Sequence, residues 1–453
     1  MMRRFILIAA VVLSIATPAW AADKRFLEIK EITSPGGIKA WLVEDHSVPV
    51  IAFNFAFAGA GTASEPAAIQ GTTQLASNTM DEGAGDIDSQ AFQKELADHS
   101  ISLGYSAGRD DYYGSVKTLS REKDRAFNLL RLSLTAPRFD AEPVQRMKDA
   151  NIARIRSSLS DPDWMAARIM NDRLYAGHPY ARNSGGTISS IQAIKQEDLH
   201  HFVKTRLGRD NLRVAVAGDI TEAELVKALD NIFGALPKTS TPAMLADLEP
   251  QNTGTLALYK KDMPQTIIQI AGTGIQRNDP DWHAAQVMNF ILGSSGFGSR
   301  LMEEIREKRG LTYGVYTSFN SLDHVATLNL GTSTRNDKVE EVLGLIRAEW
   351  TKMRDEPISD KELNDAKAYL TGSMPLSLSS TDNIAGMMLG MQMDDLPSTY
   401  LDSVQDKINA VGIADITRVS KRLLNPDSLV TVLVGQPVGI TPSATIESLP
   451  NVK

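Results

Sequence analysis

The chain has 453 residues, 42% of them hydrophobic, too many for one ordinary core and enough for two domains of roughly 200 residues each. Its 55 acidic and 47 basic residues leave a net charge of −8, a balance that argues against nucleic acid or an anionic membrane surface as the main partner. Cysteine is absent, which excludes disulfides, thiol catalysis and cysteine-ligated zinc.

Met1 to Ala22 reads as a secretory leader. Arg3 and Arg4 give the positive start, and Ala19-Trp20-Ala21 is a small-residue cleavage site. The apolar run between them, Phe5 to Ala16, falls short of the ~20 residues a bilayer-spanning helix needs. The expectation is therefore export to the periplasm with cleavage, leaving a chain that begins at Ala22 or Asp23. Removal of the two arginines takes the net charge from −8 to −10. No later stretch is apolar enough to span a membrane.

From Phe26 to Phe57 the pattern is strand-like, with alternating or continuous apolar residues around Ala40-Trp41 and from Val48 onward. A helix is expected from about Ala67 to Asp81, broken by Gly83 and Gly85. Phe92 and Leu96 mark a second helix. Ile101, Leu103 and Tyr105 begin a strand that returns through Tyr112 to Val116, and Phe127, Leu130 and Leu134 give a further helical face. A long charged helix from Glu142 to Leu159 stops near Asp161-Pro162, because a proline disfavours helix in the residue before it. A helix around Leu199 to Val203 and a strand from Leu212 to Ala217 close the first half.

The stretch 238–254 is rich in Pro, Thr and Gly, lacks periodicity and reads as a linker between residues 23–237 and 255–453. Beyond it the order of elements repeats. Pro49 before an apolar strand returns as Pro264, an offset of 215. Ile191-Gln-Ala-Ile, Asp198, Leu212 and Gly218 return as Ile408-Asn-Ala-Val, Asp415, Leu429 and Gly435, an offset of 217. Two nearly equal offsets so far apart imply duplicated domains. Each is expected to be an α+β sandwich with helices on one face of a largely antiparallel sheet, the pair forming a clamshell around a cleft.

In the second half, Gly293 to Gly298 is a glycine- and serine-rich loop, followed by a charged helix from about Ser299 to a C-cap at Gly310. The loop lacks the lysine ending of a phosphate-binding loop, and it follows a helical pattern, Trp282 to Leu292, where such a loop needs a strand. A strand is expected from Leu311 to Phe319, with Tyr313 on the same face as Leu311 and Val315. Arg306 and Tyr313 then flank one tight corner. The residues alone allow two readings: a pair converging on a ligand, or an Arg306–Glu303 surface ion pair beside an ordinary core tyrosine.

Gly-Ser-Arg-Leu at 298–301 and Ile-Arg-Glu-Lys-Arg-Gly-Leu-Thr-Tyr at 305–313 resemble the C-terminal signature of the pitrilysin and insulinase-type zinc metallopeptidases, which include the mitochondrial processing peptidase. The resemblance implies that Arg306 and Tyr313 contact a substrate peptide. It also implies a His-x-x-Glu-His helix in the first half, two histidines binding zinc with the glutamate as base, and a second glutamate some 76 residues later. Here the matching helix reads Gly71-Thr-Thr-Gln-Leu-Ala-Ser-Asn. Gln74 and Asn78 stand in place of the histidines, Ser77 in place of the base, and the distal position falls on or near Arg154. Neutral amides are poor zinc ligands, a serine without an oriented histidine is no base, and an arginine repels a cation.

No substitute metal site is legible. The seven histidines include no pair at helical i, i+3 or i, i+4 spacing, His178-Pro-Tyr reads as structural, and the acids Asp81-Glu82 and Asp110-Asp111 read as solvated turn residues. The expectation is thus a non-catalytic subunit of a heterodimeric zinc endopeptidase that acts on peptides: a separate chain with His-x-x-Glu-His holds the zinc, and this chain supplies Arg306 and Tyr313. The alternatives are a peptidase-like scaffold and an autonomous protein that traps extended peptides.

Overall fold

The computed structural model describes residues 25–453, so the expected leader at residues 1–22 lies outside the described residues. The first half runs β1 (Lys30–Thr33), β2 (Lys39–Glu44), β3 (Val50–Phe57), α1 (Thr72–Ser77), α2 (Ser89–Asp98), β4 (Ser102–Ala107), β5 (Tyr112–Leu119), α3 (Lys123–Thr135), α4 (Ala141–Ser158), α5 (Pro162–Leu174), α6 (Ile188–Ala193), α7 (Gln196–Arg206), β6 (Leu212–Gly218) and α8 (Glu222–Phe233). The second runs β7 (Leu256–Lys260), β8 (Gln265–Thr273), α9 (Trp282–Asn289), β9 (Val315–Leu322), β10 (Val325–Arg335), α10 (Val339–Asp355), α11 (Asp360–Ser373), α12 (Thr381–Met393), α13 (Tyr400–Ala410), α14 (Ile413–Leu423), β11 (Val430–Gly435) and β12 (Ala444–Thr445).

Two six-stranded sheets result, ordered β1-β2-β6-β3-β5-β4 and β12-β7-β11-β8-β10-β9. Five consecutive positions correspond: β2-β6-β3-β5-β4 matches β7-β11-β8-β10-β9. In each set the first two strands are parallel and the remaining neighbours antiparallel. The internal sequence match has a local physical basis. Asp198 and Asp415 each sit three residues into a helix, α7 and α14, and accept the N–H of the residue before it, Lys195 at 2.7 Å and Gly412 at 2.9 Å. Gly218 and Gly435 end β6 and β11 with φ of +120° and +152°, and a side chain there would strike the carbonyl of Val50 or the hydroxyl of Thr266. The duplication is written in caps and strand ends more than in the core. Residues 238–254 carry no helix or strand.

Strand alternation decides what covers each sheet. In β3, Ile51, Phe53, Phe55 and Phe57 point into a core shared with the helices of their own half. Ala52 and Ala56 of the same strand, with Ala215 and Ala217 of β6, face the opposite way and pack against Ala385, Met388 and Leu389 of α12 from the second half. The reciprocal contact seats Met165, Ala166 and Ile169 of α5 on Ala271, Val430, Val432 and Val434 of the second sheet. Small residues let a donated helix approach closely, so each half lends the other one helix. This adds a layer to the expected helices on one face. The α5 helix begins at the very dipeptide that ends α4: Asp161 caps it by accepting the N–H of Asp163 at 2.9 Å, with Pro162 in the first turn, where its missing N–H costs nothing.

The first expected helix is shorter than Ala67 to Asp81. Only Ala67–Ile69 (a 3₁₀ turn) and Thr72–Ser77 are helical. The acids read as solvated are not so. Asp81 and Glu82 lie largely buried, with Glu82 held by Arg146 at 2.8 Å, and Asp110 accepts the N–H of Asp323 from the second half at 3.2 Å.

Candidate functional site

The α1 helix presents Gln74, Ser77 and Asn78 to one another. Gln74 donates to Asn78 Oδ1 at 3.0 Å and to Ser77 Oγ at 3.1 Å, and Ser77 donates back to the Gln74 carbonyl at 2.8 Å. Asn78 then donates to Oδ1 of Asn151, a buried residue of α4, at 2.9 Å. Asn151, which sequence spacing did not single out, therefore occupies the place opposite the helix. Arg154, where spacing put the distal position, is exposed one turn further along α4 and reaches Asn151 Oδ1 from outside. The helix register explains the difference: residues 151 and 154 lie on neighbouring faces, and only 151 points inward.

A zinc ion does not fit this donor set. The amides are neutral, and the Asn78 and Asn151 oxygens already accept hydrogen bonds from Gln74 and Asn78. Among the described residues no three His, Cys, Asp or Glu side chains converge to hold a metal.

Beneath α1 lies Glu65, buried, whose carboxylate accepts the N–H of Gly71 at 2.7 Å and that of Thr73. Burial pushes its pKa from 4.5 up to about 7, against the opposing pull of the Thr73 and Gly71 bonds and of Arg182. No periodic or spacing signal marks Glu65 in the sequence.

The second place is the corner after residue 293. A π-helical stretch at Phe290–Ser294, a turn at Gly296–Gly298 and another π-helical stretch at Met302–Glu307 lead into Gly310, whose φ of +63° reverses the chain. The strand that follows begins at Val315, not Leu311. Thr312 is the reason: its hydroxyl donates to the Gly314 carbonyl at 2.9 Å and accepts the Gly314 N–H at 3.2 Å, folding 312–314 into a turn. Thr332 and Thr334 of β10 donate side-chain hydroxyls to the carbonyls of Gly314 and Leu311 where a ladder would have run. Period-two alternation starts only after this turn, so Val315 and Thr317 are buried while Tyr313 is 87% exposed. The expectation that Tyr313 shares the face of Val315 is corrected accordingly.

Arg306 does not pair with Glu303, which belongs to Lys308 at 3.1 Å. Its guanidinium lies 4.3 Å from the ring centroid of Phe297 and 5.3 Å from that of Tyr313, with Glu307 at 3.6 Å. Phe297 is 67% exposed. Arg306 is thus held between two largely exposed rings, each contact worth about 0.5–1 kcal/mol at such a surface. Phe297 lies in a glycine- and serine-rich loop that carries no periodic signal. Its signal was a lone aromatic in a run of Gly and Ser.

The structure brings Arg306 to Tyr313, and Arg154 to Gln74, Ser77 and Asn78 through Asn151. It does not bring the two sets together. The α1 helix packs on α4, α7 and β4, and the corner on β9 and α10.

Residues 193–370 match the family described as Peptidase M16 inactive domain. The chain is 28% identical over 378 residues to the non-peptidase homolog YmxG of Helicobacter pylori, covering 82% of this chain and 86% of that one. It is 25% identical over 346 residues to the mitochondrial-processing peptidase subunit beta of Saccharomyces cerevisiae, covering 72% and 74%. A crystal structure of a peptidase M16 inactive domain from Pseudomonas fluorescens superposes with a TM-score of 0.85 at 29% identity, covering 92% of this chain and all of that one.

Proposed function

We propose that this chain, whose residues 193–370 match the Peptidase M16 inactive domain and whose relatives include a non-peptidase homolog, is a non-catalytic member of the M16 peptidases and the substrate-binding subunit of a heterodimeric zinc endopeptidase in the periplasm. A partner chain with His-x-x-Glu-His holds the zinc, and Arg306 and Tyr313 of this chain complete the cleft. The observation that carries the reading is the exposed Phe297–Arg306–Tyr313 stack. A fixed cation and a phenol on a rigid corner are donors suited to orienting and polarising a peptide carbonyl, whereas a pure scaffold has no physical need to hold an arginine between two rings in solvent.

The neutral amide network at α1 supports the other half of the division of labour. Such donors suit zinc poorly, so on this reading hydrolysis depends on a metal held by the second subunit. The free edge of the first sheet, β4, lies against α1 and offers unpaired main-chain groups to an extended peptide. The test is co-purification from the native host. The reading expects a stable complex with a chain carrying His-x-x-Glu-His, and chelator-sensitive peptidase activity in the complex but not in this chain alone. Peptidase activity from this chain by itself would refute it.

A further inference from the structure

Beside the corner, between α5 and the open half of the second sheet, lies a cleft of about 250 Å³. Not one charged residue lines it, in a chain where 23% of residues are charged. Four carboxamides face it, Asn171 of α5, Gln269 of β8, Asn320 of β9 and Asn329 of β10, together with the rings of Tyr175 and Tyr316. Its floor is Gly331. In the register of the sheet Gly331 sits between Tyr316 on one side and Gln269 on the other, and a Cβ built on it would meet nothing within 4 Å. The depression therefore exists because one position in a row of large side chains is empty.

The cleft is joined to the corner. Tyr316 lines it and also packs its ring under Gly314, the residue after Tyr313. Tyr316 is three residues from Tyr313 and so lies at most ~10 Å from it, which puts the cleft within reach of a side chain two or three positions along a peptide held at Arg306 and Tyr313.

We infer that this cleft is a subsite for one uncharged side chain with a hydrogen-bonding tip, a tyrosine or a glutamine, on the peptide that Arg306 and Tyr313 hold; this rests on the peptide-binding reading above. Its volume lies below the range of pockets that take a whole small-molecule ligand and suits a single side chain. Carboxamides and phenols satisfy a neutral polar tip, and the flanking rings pack its apolar body. A charged side chain would lose its hydration and find no counter-charge. An aliphatic one would bury the amides unpaired, which is how a hydrogen-bonding site rejects analogues that lack the group.

The test is a positional series of fluorescein-labelled peptides, each carrying Tyr, Gln, Leu, Asp or Lys at one scanned position, titrated against the full mature chain by fluorescence anisotropy. At one position Tyr and Gln should bind tighter than Asp and Lys, on the order of 10-fold or more. Gly331→Leu, whose added side chain enters open space and should leave the fold intact, should flatten the preference at that position alone. Asn329→Asp should bring Lys into the favoured set there. If Arg306→Ala abolishes binding while Gly331→Leu and Asn329→Asp leave every preference unchanged, the subsite is wrong and the peptide-binding reading stands. If Arg306→Ala and Tyr313→Phe both bind as wild type, or no peptide binds at all, the reading falls and the subsite with it.

Discussion

Glu65 gives the molecule a stability that changes with pH in a calculable way. A carboxyl whose pKa is about 7 in the folded chain and 4.5 as its ordinary value binds its proton more tightly when folded. The folded state therefore carries the extra proton between those two values, and stability falls as pH rises through that window, the opposite of a salt-bridged carboxylate. At about 1.36 kcal/mol per pKa unit, the contribution is fully present below pH 4.5 and some 3 kcal/mol is lost by pH 8. Glu65→Gln keeps a carbonyl oxygen for the Gly71 or Thr73 N–H and does not titrate. For a chain of this size whose halves exchange helices, one kcal/mol corresponds to about 1–2 °C, so the Tm of wild type relative to the variant should drop by roughly 3–6 °C between pH 4.5 and 8. Thermal scans of both proteins at intervals of half a pH unit would measure this. A Tm difference that stays flat, or that moves in favour of wild type as pH rises, would refute the reasoning that burial outweighs the helix-end bonds.

The purified chain should hold no stoichiometric zinc by elemental analysis. Gln74→His, Ser77→Glu and Asn78→His combined with Asn151→Glu should create a site that retains about one zinc through dialysis, whereas the same triple with Arg154→Glu should not; equal retention by both would overturn the placement of Asn151. Gly310→Ala should cost about 1 kcal/mol, because the corner needs φ of +63°, and lower the Tm by about 1–2 °C. Exported protein should begin at Ala22 or Asp23 by N-terminal sequencing, and an intact Met1 would contradict cleavage.

Much of the fold was legible because duplication repeats residues with fixed local duties. Gly218 and Gly435 end strands where a side chain would hit the neighbouring strand, and Asp198 and Asp415 cap equivalent helices, so their spacing exposed the two halves. The exchange of α5 and α12 was not legible. Only the coexistence of Phe53 and Ala52 on opposite faces of one strand hints that something packs closely on the second face, and nothing local says which helix. At the site, Arg306 and Tyr313 were found by motif, but the side-chain turn at Thr312 moved Tyr313 off the buried face, a choice that period-two counting does not register. Asn151 escaped because counting residues from α1 places a position only to within a turn of α4, while the inward face of that helix depends on packing.

The central claim is that this chain contributes Arg306 and Tyr313 to a zinc site on another chain. The direct measurement is turnover of a peptide by the metal-bearing partner mixed with wild-type, Arg306→Ala or Tyr313→Phe chain, compared at equal complex formation. Removing a donor that orients and polarises the scissile carbonyl should lower turnover on the order of 10²-fold or more with association unchanged. Full turnover with both variants, associated as tightly as wild type, would make the corner structural and leave the scaffold reading in its place.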